Sequence, residues 1–266
     1  MIDQGKRNVL GVLVNVADYE GAVERIISAA RARRGAAISA LAVHGLMTGV
    51  LSSEHRHRLN QFDLLVPDGQ PIRWALNWLH RAGLRQRVYG PNLMLAACAR
   101  AEQEGISIYF YGSTPEILSN LKTSVEYRYP ALKIAGMEPS RFRCLSPEES
   151  RQLANRIRQS GASIVLVGLG CPRQEVWAYE FRGLLRLPIL AVGAAFPFTA
   201  GKVPQAPKWM QARGLEWVFR WYAEPRLWRR YLFLNPAYLV LLVLQFFRLF
   251  APAVEGKPPV RRILYG

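Results

Sequence analysis

The strongest constraint on the fold of this 266-residue chain is a repeated order of short apolar runs and longer helical segments. Apolar runs that predict buried strands occupy residues 9–14, 36–43, 62–66, 106–111, 132–136, 164–167 and 189–192. Segments with helical patterning occupy residues 19–34, 46–59, 71–80, 91–104, 116–127 and 146–160. Strands that alternate with helices of about ten or more residues are typical of α/β proteins. We therefore predict an α/β fold in which a mainly parallel sheet carries helices on both faces.

The composition indicates a folded protein with anionic partners. Half of the residues are hydrophobic, which excludes wholesale disorder, and the net charge is +16. This charge favours nucleic acid, nucleotide diphosphates or acidic lipid headgroups, and by itself does not choose among them. Three cysteines without CxxC spacing predict reduced thiols rather than a disulfide framework or a zinc site. No secretory signal is recognisable, so we expect the protein to act in the cytoplasm.

Three predicted strands end in turns of glycine and other small residues. These turns contain Gly112 and Ser113, Gly168 to Gly170, and Gly193. Ligands of parallel sheets bind beyond the carboxyl ends of the strands, where small residues let backbone amides approach a diphosphate. The alternative is that each turn only connects a strand tightly to a helix. A third glycine after Gly170 and a Walker A sequence are both missing, which disfavours NAD or FAD.

Two carboxylates follow predicted strands and are candidates for chemistry. Asp68 comes directly after the strand at 62–66, where a general base could meet a substrate hydroxyl, although Pro-Asp-Gly is also a common turn sequence. Glu175, beside Gln174, could bind a sugar hydroxyl or could only complement a helix dipole. The sequence contains no DxD pair and no histidine spacing typical of a metal site, so we expect arginines, lysines and helix ends to meet phosphate charge.

The composition changes after about residue 207. Residues 213–231 are basic and aromatic, and residues 232–252 are strongly apolar but are interrupted by Asn235, Pro236, Gln245 and Arg248. A basic, tryptophan-rich flank beside a short apolar segment favours a helix lying in the membrane interface. A true span and a packing or oligomer face are the alternatives. We divide the chain into a core (residues 1–207), a C-terminal appendage (208–254) and a tail (255–266) that we expect to be flexible.

Four stretches carry a resemblance to a known family. They are VPDGQPIRWA at 66–75, RVYGPNLM at 87–94, IYFYGSTPE at 108–116, and residues 167–236, which begin VGLGCPRQEVW. The chain resembles the WecG/TagA/CpsF family of bacterial glycosyltransferases over roughly residues 38–236. The match is most specific in the last stretch.

The resemblance implies a reaction and assigns roles to residues. It implies a Rossmann-like core that transfers a sugar from a UDP-sugar to a polyprenyl-diphosphate-linked saccharide, with inversion and without a tightly held metal or other cofactor. Asp68 would be the general base, and the appendage would meet the membrane and the diphosphate. The glycine-rich turns and the resemblance together give the predicted substrate-binding residues, which are Asn92, Gly112, Ser113, Gly168, Gly170, Gln174, Glu175, Gly193, Lys208, Arg213, Arg220, Arg226, Arg229 and Arg230.

The chain also departs from the family pattern. Many relatives carry a polar run where this chain has Ala40 and Ala42, and relatives often have Asp at the position of Asn92. We expect either a changed sugar specificity or weakened catalysis. The motifs resemble the exopolysaccharide branch more than the teichoic-acid branch, which favours a hexose or hexuronic acid donor over N-acetylmannosamine; the donor classes considered are hexoses, hexuronic acids and N-acetylhexosamines. The alternatives are a catalytically impaired scaffold and a nucleic-acid-binding protein, the latter disfavoured because the apolar segment argues for lipid. A homo-oligomer is left open.

Overall fold

The computed structural model describes residues 1–223 and 228–266, except the side chains of Ala223, Arg229 and Arg230. The strands are β1 Asp3–Val9, β2 Val12–Ala17, β3 Ala36–Leu41, β4 Leu64–Pro67, β5 Ile108–Gly112, β6 Ile134–Glu138, β7 Ile164–Gly168 and β8 Pro188–Ala191. The helices are α1 Tyr19–Arg31, α2 Val43–Leu51, α3 Ser53–Asn60, α4 Gln70–His80, α5 Gly90–Gln103, α6 Pro115–Arg128, α7 Pro147–Gln159, α8 Arg173–Leu185, α9 Ala195–Thr199, α10 Lys208–Ala212, α11 Glu216–Ala223 and α12 Trp228–Phe246.

The central sheet confirms the predicted α/β fold. Its six strands run in the order β4-β3-β8-β7-β5-β6, and every described pairing between them is parallel. Successive residues of β5 show that both faces are covered. Phe110 meets the ring of Phe196 edge to face at 5.7 Å, and Tyr111 stacks on Trp177 at 4.8 Å on the other face. A parallel sheet buried in this way gives the continuous apolar runs seen in the sequence.

The predicted strand at 9–14 is wrong in its boundaries. The chain turns at Leu10 and Gly11, where φ is +53° and +87°, so β1 and β2 form a separate antiparallel hairpin. A side chain at Gly11 would place its Cβ 2.6 Å from the Ala253 carbonyl oxygen. The left-handed backbone and this close approach explain why the residue at this turn is a glycine.

The predicted helix at 46–59 is two helices. The chain leaves α2 at Ser52, whose φ and ψ of −120° and 113° are extended. The Ser52 side chain accepts a hydrogen bond from the His55 amide at 3.2 Å and so caps α3. Helical periodicity continues across this break, which is why the sequence pattern predicts one element.

The last long helix, α12, lies along the surface of the core. Tyr238 is 1% exposed and donates its hydroxyl to the Pro71 carbonyl at 2.9 Å. Gln245 accepts from the Leu10 amide at 2.9 Å, which fixes the helix to the β1–β2 turn. The outward face of α12 includes the exposed side chains of Leu239, Val240, Val243 and Phe246. In the part of the chain that the structure describes, no helix is both long and apolar enough to cross a membrane.

The tail returns to the core in this structure. The Leu145 amide donates to the Leu264 carbonyl at 2.6 Å, and Cys144 pairs with Tyr265 in an antiparallel bridge. Arg262 Nε donates to Glu180 Oε2 at 2.9 Å. The tail therefore joins α8 to the loop that follows β6. The division into core, appendage and tail stays a prediction.

Candidate active site

A cavity of about 270 Å³ lies beyond the carboxyl ends of β4, β3, β8 and β7. The strand ends contribute Asp68, Ala40, Gly193 and Gly170 to its lining. The appendage closes the cavity with side chains from α11 and α12, namely Glu216, Trp217, Arg220, Tyr231, Leu234 and Asn235. The cavity thus lies between the sheet and the appendage, in the position where parallel sheets bind ligands.

Asp68 lies in this cavity immediately after β4. Its backbone amide donates to the Leu41 carbonyl at 3.1 Å, which continues the β3–β4 pairing past the strand. Its Oδ1 accepts a hydrogen bond from the amide of Gly90, the first residue of α5, at 2.7 Å. The carboxylate is therefore oriented by a helix N-terminus.

The environment of Asp68 favours a carboxyl that binds a proton more tightly than usual. Desolvation raises the pKa of Asp68 to about 6, against the opposing effects of Arg87 and of the Gly90 amide. Glu216 raises the pKa further because it is a second negative charge in the same cavity. At pH 7 such a group is mostly ionised and is a stronger base than an exposed aspartate, as general-base catalysis requires.

Glu175 belongs to a buried polar network at the start of α8. It is 1% exposed, and its Oε1 accepts from Ser39 Oγ at 3.0 Å and from Gln174 Nε2 at 2.8 Å. Burial raises the pKa of Glu175, and the hydrogen bonds from Gln174, Ser39 and Cys171 oppose this shift. Gln174 Oε1 is buried without a hydrogen-bond partner among the described residues, and Gln174 lines the cavity. A ligand N–H or O–H could satisfy this acceptor.

Gly193 is required by the position of Gln174. Its φ is +48°, and a Cβ there would lie 2.7 Å from Gln174 Oε1. A larger residue would therefore strain the backbone and displace the amide side chain from the cavity wall.

The fold and this cavity agree with a sequence comparison. The model of the glycosyl transferase WecG/TagA/CpsF family matches residues 7–251, which include every residue that lines the cavity. The chain belongs to this family. It is therefore a member of a glycosyltransferase family, and the chemistry of its site is expected to be sugar transfer.

The structure brings together only part of the site expected for a WecG/TagA/CpsF member. Asp68, Gly170, Gln174, Glu175, Gly193 and Arg220 line the cavity. The lining does not include Asn92, Gly112, Ser113, Gly168, Lys208 or Arg213. Arg226 lies outside the described residues, as do the side chains of Arg229 and Arg230. The roles of all these residues in binding stay predictions.

The glycines at the ends of β5 and β7 serve close packing. Gly112 pairs with Gly168 across the two strands, and a Cβ on Gly112 would lie 3.0 Å from the Gly168 carbonyl. A Cβ on Gly168 would lie 2.4 Å from the ring of Phe196. Gly112 has a φ of +108°, in the region that favours glycine. These packing contacts are sufficient to explain why glycine occupies both positions, and no bound ligand is needed for that explanation.

Sequence reasoning missed three residues of the site. Ser39 lies inside the apolar run 36–43, which predicts a buried strand and gives no signal for a polar site residue. Arg87 is 8% exposed, forms an ion pair with Glu216, and packs its guanidinium 4.3 Å from the ring centre of Tyr89. Arg87 stands in one of the family-like stretches, and Glu216 is the single acidic residue between positions 208 and 223. The sequence signal that could have identified Glu216 is that it is an isolated acidic residue among arginines and tryptophans.

In the described ranges, no group of three or more His, Cys, Asp or Glu side chains is arranged to hold a metal ion.

Proposed function

We propose that this protein transfers a sugar from a UDP-sugar to a saccharide carried on polyprenyl diphosphate, with inversion at the anomeric carbon. The observation that carries the proposal is the environment of Asp68, a desolvated carboxylate in a cavity between the sheet and a basic appendage. A family of glycosyltransferases needs a base at such a place, because the acceptor hydroxyl must lose its proton as it attacks.

The proposed reaction follows from the position of Asp68. Asp68 accepts the proton of the acceptor hydroxyl while that oxygen forms a bond to the anomeric carbon of the donor. The bond between the anomeric carbon and the diphosphate oxygen breaks on the opposite face, and UDP leaves with the bonding electrons. Attack and departure on opposite faces invert the anomeric centre.

Arginines are the proposed source of positive charge for the diphosphate. Arg87 and Arg220 both line the cavity, and guanidinium groups bind phosphate through paired hydrogen bonds. Lys208, Arg213, Arg226, Arg229 and Arg230 would add positive charge for the donor or acceptor diphosphate. The buried acceptor of Gln174 and the carboxylate of Glu175 would meet hydroxyl or N–H groups of the donor.

We further propose that the protein acts as a peripheral protein at the cytoplasmic face of the plasma membrane. The outward apolar face of α12 supports this, because the opposite face is fixed to the core by Tyr238 and Gln245. A helix held flat on a protein with an outward apolar face suits the membrane interface. The net charge of +16 would add attraction to anionic lipids.

A catalytically impaired member of the family is the second candidate. Ala40 and Ala42 both line the cavity, so this part of the wall supplies methyl groups where hydroxyl or amide groups would bind a sugar. Such a protein would bind a nucleotide sugar and the membrane as a scaffold without transferring the sugar. If the protein is instead an active enzyme of exopolysaccharide synthesis, we expect it to use a donor sugar that makes fewer polar contacts with this wall. The donor classes considered are hexoses, hexuronic acids and N-acetylhexosamines.

The test is the turnover of Asp68→Asn with UDP-sugars and a polyprenyl-diphosphate-linked acceptor, measured as release of UDP. We expect a loss of about 10²- to 10⁴-fold, because the amide cannot accept the proton. Asp63→Asn is the matched control, since Asp63 precedes β4 at the opposite end of the same strand and should leave turnover near wild type. Near-normal turnover of Asp68→Asn would remove Asp68 from the role of base. Wild-type protein that binds UDP but never releases it from any donor would favour the scaffold.

A further inference from the structure

One ion pair joins the core to the appendage inside the candidate active site. Arg87 lies in the loop between α4 and α5, and the next residue, Val88, donates its amide to the Pro67 carbonyl at the end of β4 at 2.9 Å. This contact places Arg87 beside Asp68. Its guanidinium pairs with Glu216, the first residue of α11. Arg87 also donates to Gln211 Oε1 at 3.5 Å.

The position of Glu216 depends on how the appendage docks on α4. The turn before α11 contains Gly214, whose φ is +71° and whose added Cβ would lie 3.0 Å from the ring of Trp74. Gln70 Nε2 donates to the Ala212 carbonyl at 3.3 Å. Only a docked appendage therefore presents the Glu216 carboxylate to Arg87.

Arg87 lies near two carboxylates and pairs with one of them. Within the described residues its ion pair is with Glu216, while Asp68 accepts its hydrogen bond from the Gly90 amide. The charged and titratable groups that influence Asp68 from the surrounding elements are Arg87, Glu216, Arg220, Tyr19 and Tyr89. The same cavity also contains His44, Cys171, Glu175 and Tyr231.

We propose that Glu216 is a positioning residue for the candidate base: by pairing with Arg87, its carboxylate keeps the guanidinium from pairing with Asp68, so that Asp68 stays basic. This inference rests on the proposed function, because it assigns Asp68 the role of base.

The direction of the effect follows from the charges. Loss of the Glu216 charge leaves Arg87 uncompensated in a poorly solvated cavity, and a nearby guanidinium stabilises the ionised form of an aspartate by about one pKa unit or more. Glu216 itself also raises the pKa of Asp68, so its removal acts in the same direction. The pKa of Asp68 therefore falls in Glu216→Gln. Asp68 becomes a weaker base, and the acidic limb of the pH-rate profile moves to lower pH.

The first measurement does not depend on activity. The chain contains four aspartates, Asp3, Asp18, Asp63 and Asp68, so carboxyl-labelled aspartate gives four resonances, and the one that disappears in Asp68→Asn belongs to Asp68. Carbon-13 titration of the full-length protein should show the Asp68 pKa lower by about one unit in Glu216→Gln. Glu216→Asp keeps the charge and should restore most of the wild-type value. An unchanged titration in Glu216→Gln would overturn the proposal.

A control separates charge from loosening of the appendage. Tyr238→Phe removes the hydrogen bond from α12 to the Pro71 carbonyl without changing any charge at neutral pH. We expect the titration of Asp68 in this variant to match wild type. A shift equal to that of Glu216→Gln would show that undocking, and not the Glu216 charge, acts on Asp68, and would overturn the proposal.

The pH-rate profile then connects the titration to catalysis. With an active donor, the acidic limb of kcat should move in Glu216→Gln by the same amount as the resonance of Asp68. If the pKa of Asp68 shifts in Glu216→Gln but the acidic limb of the kcat profile does not move, Glu216 does act on Asp68 electrostatically, but Asp68 is not the catalytic base. Failure of the proposed function and failure of this inference are thus distinguished.

Discussion

At the scale of single residues, Glu175 is a carboxylate held in the interior without a cationic partner in the described part of the chain. Ser39 and Gln174 donate to the same oxygen, Oε1. Hydrogen bonds to a buried charged group contribute more to stability than those between neutral groups, because the lost hydration of the charge must be replaced. Ser39 thus joins strand β3 to the first turn of α8 beside the cavity.

Ser39→Ala should lower the free energy of unfolding by about 0.5–3 kcal/mol, measured by urea denaturation. The loss should shrink as the pH falls through the pKa of Glu175, which burial raises, because a protonated carboxyl needs the donor less. Ser163→Ala is the matched control, since Ser163 lies at the edge of β7 and is partly exposed. Equal effects of the two variants at all pH values would contradict the assignment.

At the scale of elements, α12 has two different faces. Tyr238 and Leu242 are buried against the core, while Leu239, Val240 and Val243 point away from it. An apolar stripe that no described residue covers is costly in water and suits an interface. The proposal of membrane attachment therefore concerns one face of one helix.

Val243→Glu should weaken binding of the protein to anionic lipid vesicles by about tenfold or more. Burial of a valine side chain contributes about 1.5–3 kcal/mol, and each 1.4 kcal/mol corresponds to about tenfold in affinity. Val260→Glu introduces the same charge on the tail and should bind like wild type. Val243 is 53% exposed and Val260 is 86% exposed, so neither substitution disturbs the core. Vesicle flotation would measure both, and equal binding would argue for a protein partner at this face.

At the scale of the whole molecule, the tail connects parts of the chain that are far apart in sequence. Glu180 on α8 is 3% exposed and lies 4.0 Å from Arg58 on α3. Its other oxygen accepts from Arg262 of the tail at 2.9 Å. Beyond this contact, Leu264 and Tyr265 pair with the loop after β6.

Arg262→Ala should destabilise the protein by about 1–3 kcal/mol, because it leaves a buried carboxylate oxygen without its closest donor. Thermal or urea unfolding would measure the change. Arg261→Ala removes the neighbouring exposed arginine and should stay within about 0.5 kcal/mol of wild type. If the two variants unfold alike, the contact with Glu180 contributes nothing and the tail behaves as the flexible extension expected from its sequence.

The order of strands and helices could be predicted from the sequence because both depend on local patterns. Buried parallel strands give apolar runs, and residues such as Ser146 and Pro147 mark the start of a helix, where the structure has a capping box. The errors arose where a local signal is weak. Neither the turn at Gly11 nor the helix break at Ser52 interrupts the apolar periodicity.

By itself the sequence determined the fold class, the family, and the place of Asp68 after a strand, since these depend on short-range patterns and motifs. Only the tertiary structure decided that the segments after β4, β3, β8 and β7 line one cavity. It also decided that Gly112 of β5 packs against Gly168 of β7. Ser39 and Glu175 meet across 136 positions, and Arg87 and Glu216 across 129. Such pairs depend on strand order and on docking of the appendage, which periodicity does not encode.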